Sequence, residues 1–318
     1  MYNPLDNGDQ MNSFTIINIL IILGMPFLYI GIINKTKAIW AGRKGPSIIQ
    51  PYYDFFRLLK KGEVISATTT AVFKINPSIQ LACAICAALV VPLSGHESFF
   101  SFSGDFVAFA YILALGKFFS LISSMDTGSS FEGMGASREA TNSTLVEPGL
   151  FILIGSLALM SGQMSFVDIF STIERSSGWS QLVVVAGFIT LLLILLVEGC
   201  RVPVDDPNTH LELTMIHEVM VLDNSGPGLA FIKHSSALKM VLFSALNAGL
   251  ILPHGLSVMQ SSILFVLLVI AIAVLVATVE SLIARFRILH LPQFMVLITS
   301  VALIVFCTVL LFAGGRMG

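Results

Sequence analysis

Lys117, Glu147, Glu198 and Glu280 are charged side chains that sit inside long apolar stretches of this sequence. At a bilayer centre each would cost about 2.5–3.5 kcal/mol on an insertion scale, so each needs a partner, a path to water or a function. All four lie toward the same end of their stretches. Glu198 and Glu280 are about two residues from that end, and Lys117 and Glu147 about seven, or ~10 Å of helix. Carboxyls at a shared depth, with a lysine near them, can hold and pass protons, because burial favours the neutral acid and a nearby cation the anion. This reading predicts one polar cavity lined by all four, with Glu147, Glu198 and Glu280 as proton carriers and Lys117 tuning a neighbouring carboxylate. The competing use is independent snorkelling to headgroups, which is harder for Glu147 than for a long lysine.

A second set of polar residues falls in three longer connections, about 34–74, 125–141 and 199–235. The first carries Arg43 in Ala41-Gly42-Arg43-Lys44-Gly45-Pro46, followed by Gln50-Pro51-Tyr52-Tyr53-Asp54-Phe55-Phe56-Arg57-Leu58-Leu59. Tyr52, Phe55, Phe56 and Leu59 share one helical face, which predicts an amphipathic helix in the membrane interface. The second holds Glu132, Arg138 and Glu139 among Gly128, Gly133 and Gly135, predicting a tight loop and then a membrane helix. Arg138 with Glu132 and Glu139 reads either as a surface ion pair or as a docking surface for a soluble subunit. The third crowds Arg201, Asp205, Asp206, Glu212, Glu218 and Asp223 around Pro203 and Pro207. Leu211, Ile216, Val219 and Met220 there allow an amphipathic helix under the membrane surface. Arg285 belongs to the same polar side.

No metal centre is expected. His210 and His217 lack a third ligand at metal spacing, and Cys83-x-x-Cys86 lies in an apolar run where packed helix residues are the better reading. A catalytic constellation is likewise not expected in this chain.

Positioning these residues requires an all-α polytopic membrane protein, a single integral membrane domain over 1–318. The chain is 55% hydrophobic and 11% charged, far from the roughly 25% charge of a soluble domain. A hydrocarbon core of about 30 Å takes roughly 20 apolar residues per helix. About eight stretches qualify: 14–33, 75–94, 105–124, 142–161, 181–200, 236–254, 259–281 and 291–313, after a polar tail over 1–13. The Lys and Arg residues from Lys35 to Arg287 gather on one side, while the other side has Arg175 and Arg316. Cationic loops stay in the cytoplasm, so both termini are expected outside it, in the inner (cytoplasmic) membrane. The net charge of −2 and the lack of basic–aromatic runs argue against nucleic acid as a partner. No internal repeat is visible, which weakens an inverted-repeat transporter.

Three segments carry a family resemblance: Asp126-Thr127-Gly128-Ser129, Gly135-Ala136-Ser137-Arg138-Glu139-Ala140 and Leu145-Val146-Glu147-Pro148. With Glu280-Ser281-x-x-Ala284-Arg285-x-Arg287, the pattern resembles the membrane-subunit family that includes NADH dehydrogenase subunit 1, in its formate hydrogenlyase and hydrogenase-4 branch. The resemblance covers nearly the whole chain. It implies a helical bundle that anchors a peripheral arm of hydrogenase-like large and small subunits and touches antiporter-like membrane subunits. Iron–sulfur clusters, and a nickel–iron centre, would then reside in partners, with no cofactor held by this chain. By position, Arg43, Arg138, Glu147, Glu198, Arg201, Asp205 or Asp206, and Glu212 match charged positions of the family. The NADH branch also forms a quinone cavity. Where the family commonly has closely spaced glutamates after its proline, this chain has Asn208-Thr209-His210-Leu211-Glu212, a departure that argues against a standard quinone site.

The expected function is therefore a membrane anchor and proton- or ion-coupling subunit of a redox complex of the group 4 hydrogenase or formate hydrogenlyase kind, with the acids of the third connection sensing the redox partner. A quinone-site subunit of a proton-pumping NADH:quinone oxidoreductase is the alternative within the family. A stand-alone secondary cation transporter is the alternative from another class.

Overall fold

The computed structural model describes residues 5–93, 97–173, 178–206 and 215–314. Its helices are α1 (Leu5–Trp40), α2 (Gln50–Leu59), α3 (Ala71–Val90), α4 (Asp105–Asp126), α5 (Ser130–Ser161), α6 (Phe166–Thr172), α7 (Gly178–Glu198), α8 (Gly226–Ile251), α9 (Val258–Leu282) and α10 (Leu291–Gly314). Eight of them, all but α2 and α6, are long and apolar enough to cross a membrane. No strand occurs among the described residues. The reason is that lipid offers backbone N–H and C=O groups no partners, and a helix satisfies nearly all of its own.

α8 is the axis of the bundle, with α1, α2, α3, α7 and α9 packed around it. Two of its buried polar side chains are hydrogen-bonded within the bundle: the Tyr29 hydroxyl of α1 and the Ser244 hydroxyl share a hydrogen bond of 2.7 Å, and Asn247 donates to the Phe243 carbonyl at 3.0 Å. Small residues set the closest helix contacts, as in membrane bundles generally. Gly116 of α4 faces Cys83 of α3, and Gly149 of α5 faces Thr299 of α10.

α2 forms where the pattern of aromatic residues placed it, with a proline in its first turn. Phe27 of α1 meets Tyr52 and Phe55 of α2 at ring-centroid distances of 5.6 and 5.3 Å. α3 begins at Thr70, where the Asp126 carboxylate accepts from the Thr70 N–H (2.7 Å) and hydroxyl (2.9 Å) and sits against the positive end of the helix dipole.

Several boundaries differ from the expected ones: α1 begins at Leu5, within the expected polar tail, and α8 begins at Gly226 rather than near 236. α1 continues past residue 33 to Trp40, so Lys35 and Lys37 are helical rather than part of a connection. α5 starts at Ser130, leaving a loop over 127–129 in which Gly128 takes φ +71°. Gly133 and Gly135 are therefore helical, and Gly135 is small for a packing reason: a Cβ there would collide with Val219 and meet the Ile216 carbonyl at 3.0 Å. The surface helix expected around 211–220 is not formed by its described part. Glu218–Val221 makes a 3-10 turn with Val219, Met220 and Val221 buried, lodged against α4 and α5. Ile216, Val219 and Met220, which suggested a membrane-lying face, are buried inside the protein instead. The Ser124 hydroxyl of α4 closes it by donating to the Met220 carbonyl at 3.1 Å.

The approach of the 41–49 connection to α1 depends on Gly31, whose added Cβ would overlap the Ile48 carbonyl. Backbone cannot swing aside as a side chain can, so Gly31→Ala should cost about 1–3 kcal/mol. The check is the melting temperature of the purified protein in detergent, with Gly24→Ala, which meets nothing within 4 Å, as an unaffected control.

Candidate functional site

The intramembrane charges expected to share one cavity form two groups. The first is built by α4, α5 and α7. Lys117 Nζ donates to Glu198 Oε1 at 2.6 Å and lies 3.8 Å from Glu139 Oε1. These side chains are only 11%, 9% and 13% exposed, respectively for Lys117, Glu198 and Glu139. Glu139 and Glu147 are eight residues apart on α5, so they share a face about 12 Å apart along the axis. Glu147 joins Lys117 and Glu198 in lining a lateral cavity of about 60 Å³, walled by Tyr111 and Phe151. A further small cavity of about 20 Å³ touches Lys117, Glu139, Ser235 and Lys239, with His217 at its edge. That is room for about one water, and the lateral cavity for several.

Glu280 belongs to the second group. Its carboxylate meets Lys37 Nζ of α1 at 2.7 Å and Arg201 Nη1 at 3.5 Å. Arg201 follows α7, whose end turns through Gly199 and through Cys200 at φ +48°. Close by in the chain, Asp205 pairs with Arg285 at 3.0 Å and accepts the backbone N–H groups of Ile216 and His217, both at 3.0 Å. One carboxylate thus ties the third connection to the segment after α9. Arg201, Asp205, His217, Glu218 and Lys233 border an outer cavity of about 240 Å³.

Other expected residues fall out differently. Arg138 does not pair with Glu132 or Glu139: its guanidinium donates to the Met215 carbonyl at 2.8 Å, while Glu132, fully buried, accepts the Asp223 N–H at 3.0 Å. Arg138 and Glu132 hold the third connection onto α5, because the 215–223 segment is folded against that helix, while Glu139 joins the lysine cluster. Arg43 lies in the exposed turn after α1, Asp223 is exposed, and Asp206 donates its N–H to Asp205 at 2.9 Å. Glu212 and His210 lie outside the described residues. Among the described residues no three His, Cys, Asp or Glu side chains gather as a metal-binding group.

Several residues escaped the reading of the sequence. Lys37 and Lys239 counted as loop cations but lie in α1 and α8, and the helical offset from Glu280 or Glu139 is not visible in one dimension. Asp105, fully buried at the opposite end, accepts the Ser165 hydroxyl and the Phe166 N–H at 2.9 Å each, fixing the start of α6. Its place at the edge of an apolar stretch was the available signal.

Outside the spans, two titrations are shifted. His217 is lowered to about 4 from 6.5, first by burial and then by Lys239, Lys233 and Arg201, with Glu218 opposing. Burial raises Asp205 above its ordinary value, against the lowering effect of its backbone donors and Arg285.

Two expected outcomes follow from these contacts. Glu198→Gln strands Lys117 with only the more distant Glu139 and should lower stability by about 3–5 kcal/mol, whereas the double variant Lys117→Met, Glu198→Leu should lose less; melting curves of the purified proteins decide. For His217, the undocked segment takes up a proton below about pH 6.5 that the docked one refuses until about pH 4. Its contribution to docking is therefore complete above pH 6.5 and lost as pH falls toward 4. Asp205 works in the opposite sense, so the comparison is with His217→Gln: the protection of residues 215–221 against hydrogen exchange, relative to the intrinsic rate at each pH, should fall on acidification more in the natural protein than in the variant.

Comparison with known proteins places this arrangement. The family profile described as NADH dehydrogenase matches residues 13–313. Hydrogenase-4 component C of Escherichia coli (strain K12) is 34% identical over 284 residues, 87% of this chain and 89% of that protein. Formate hydrogenlyase subunit 4 of the same organism is 28% identical over 287 residues, covering 88% and 92%. Among solved structures, a chain of the membrane-bound sulfane sulfur reductase, an archaeal respiratory membrane complex, superposes with a TM-score of 0.78 at 22% identity, over 93% of this chain and 99% of that one. This last likeness establishes the fold. With the profile running almost end to end, and with eight spans built around it, this chain belongs to the NADH dehydrogenase family of membrane subunits.

Proposed function

We propose that this chain is the membrane anchor and proton- or ion-coupling subunit of a group 4 hydrogenase-like or formate hydrogenlyase-like complex. The carrying observation is the buried Lys117–Glu198–Glu139 cluster, reached by Glu147 through a cavity, in a chain 34% identical to hydrogenase-4 component C. A bundle with no use for buried charge would not hold four such groups on three helices, since apolar replacements pack as well at lower desolvation cost. On this reading the cation-rich end, with α2 and the 199–225 connection, faces the cytoplasm and seats the redox subunits, whose metal clusters lie outside this chain. Both termini then lie on the opposite side of the inner membrane. Antiporter-like membrane subunits would flank the bundle.

The test is a mild-detergent purification of the tagged protein from its native membrane, with mass spectrometry and metal analysis. Hydrogenase-like subunits carrying nickel and iron are the expected partners. NADH-oxidising subunits without nickel would turn the assignment to a quinone reductase, and a protein that purifies alone and moves cations would turn it to a transporter. Within the complex, Glu147→Gln, which keeps shape but carries no proton, should lower the protons translocated per electron pair while leaving subunit composition intact.

A further inference from the structure

Among the described residues, the outer and inner cavities have one lining residue in common, His217. On its outer side lie Arg201, Asp205, Glu218 and Lys233; on its inner side lie Lys117, Glu139 and Lys239. Lys117 in turn borders both the inner cavity and the lateral one that holds Glu147 and Glu198. The three cavities are thus joined in series, through His217 at one junction and through Lys117 and Leu113 at the other. From this geometry we infer that His217 is the proton relay between the outer cavity and the buried carboxylate cluster. The inference rests on the coupling role proposed above and names the entry point of that pathway.

The imidazole is held in place by contacts that do not use its ring. Asp205 fixes the backbone of residues 216 and 217, and the next turn buries Val219 and Met220 in the notch left by Gly135. Cations from α4 (Lys117), α8 (Lys233 and Lys239) and the segment after α7 (Arg201) face the site, against Glu139, Asp205 and Glu218. Near neutral pH this environment keeps the ring uncharged. A neutral imidazole carries one N–H and one bare nitrogen, so it can accept and donate at once. A protonated water in the outer cavity gives its extra proton to the bare nitrogen and is left neutral, and the other nitrogen releases its proton to a water in the inner cavity, from which the Glu139 carboxylate takes it. The ring ends in the opposite tautomer with no net charge gained, and a flip or a returning proton resets it. Glutamine can hydrogen-bond on both sides but cannot exchange protons this way. Among the described residues no other side chain lines both volumes.

The experiment uses the assembled complex in sealed vesicles, driven by reduced methyl viologen, with hydrogen evolution and proton translocation recorded together by gas electrode and pH-sensitive dye. His217→Gln should lower the ratio of protons translocated to hydrogen evolved by at least about tenfold, the scale of a lost proton-transfer group. Added imidazole should restore part of the ratio in His217→Gly, which a purely structural histidine would not allow. Ser236→Leu, which narrows the outer cavity without altering His217, should lower the same ratio and decides the matter if neither His217 variant assembles. An unchanged ratio in His217→Gln or, failing assembly, in Ser236→Leu overturns the relay. If Glu147→Gln still abolishes coupling, the proposed function stands without it; if Glu147→Gln is also unchanged, both fall.

Discussion

A lysine buried among membrane helices has to be accounted for before anything else in this molecule. Removing Lys117 and its partners from water costs several kcal/mol per ion, and only close opposite charge and good hydrogen-bond geometry offset that. At an effective dielectric of about 20, two charges 4 Å apart gain about 4 kcal/mol, which is enough only when more than one anion converges. The protein meets the demand with Glu198 at 2.6 Å and Glu139 at 3.8 Å, from helices that are not sequence neighbours of each other. α4, α5 and α7 are therefore bound to one arrangement by charge as well as by packing. The cluster is a poor device for stability alone, since apolar residues would pack there without the desolvation cost.

The second charged group solves a different problem. Glu280 brings Lys37 and Arg201 together, while Asp205 joins Arg285 to two backbone N–H groups. Between them they pin the connection after α7 to α1 and to the chain beyond α9. Glu132 does the same for its far end through the Asp223 N–H. A long polar connection that would otherwise pay a large ordering entropy is thereby held against the bundle. It presents the cation-rich end as a shaped surface, and it carries His217 to the boundary between two cavities.

The inner and lateral cavities are small, and the series is interrupted by a few side chains rather than continuous. A volume of about 20 Å³ accommodates about one water, so passage through it depends on the position of one or two groups. Small movements of the third connection, or of Lys117 between Glu198 and Glu139, would open or close the series. This is the physical means by which an event at the polar end could be felt by carboxylates in the membrane.

Much of the architecture was legible one residue at a time. Eight apolar runs near 20 residues long leave helices as the only structure that satisfies the backbone in lipid, and the aromatic spacing from Tyr52 to Leu59 specified α2. The rarity of charge in those runs singled out Lys117, Glu147, Glu198 and Glu280, because the cost of burying an ion depends on its surroundings' composition, which a sequence displays. Partnership depends on distance between helices, which it does not. Only the tertiary structure separated Glu280 from the other three, drew Glu139 and Lys37 into the two groups, and turned Arg138 from the neighbouring acids to the Met215 carbonyl. The same holds for Gly135, which as a letter signifies a loop and in the folded bundle is a helical notch for the 3-10 turn. Periodicity reports which face of an element is apolar; what that face meets is decided by packing among segments far apart in the chain.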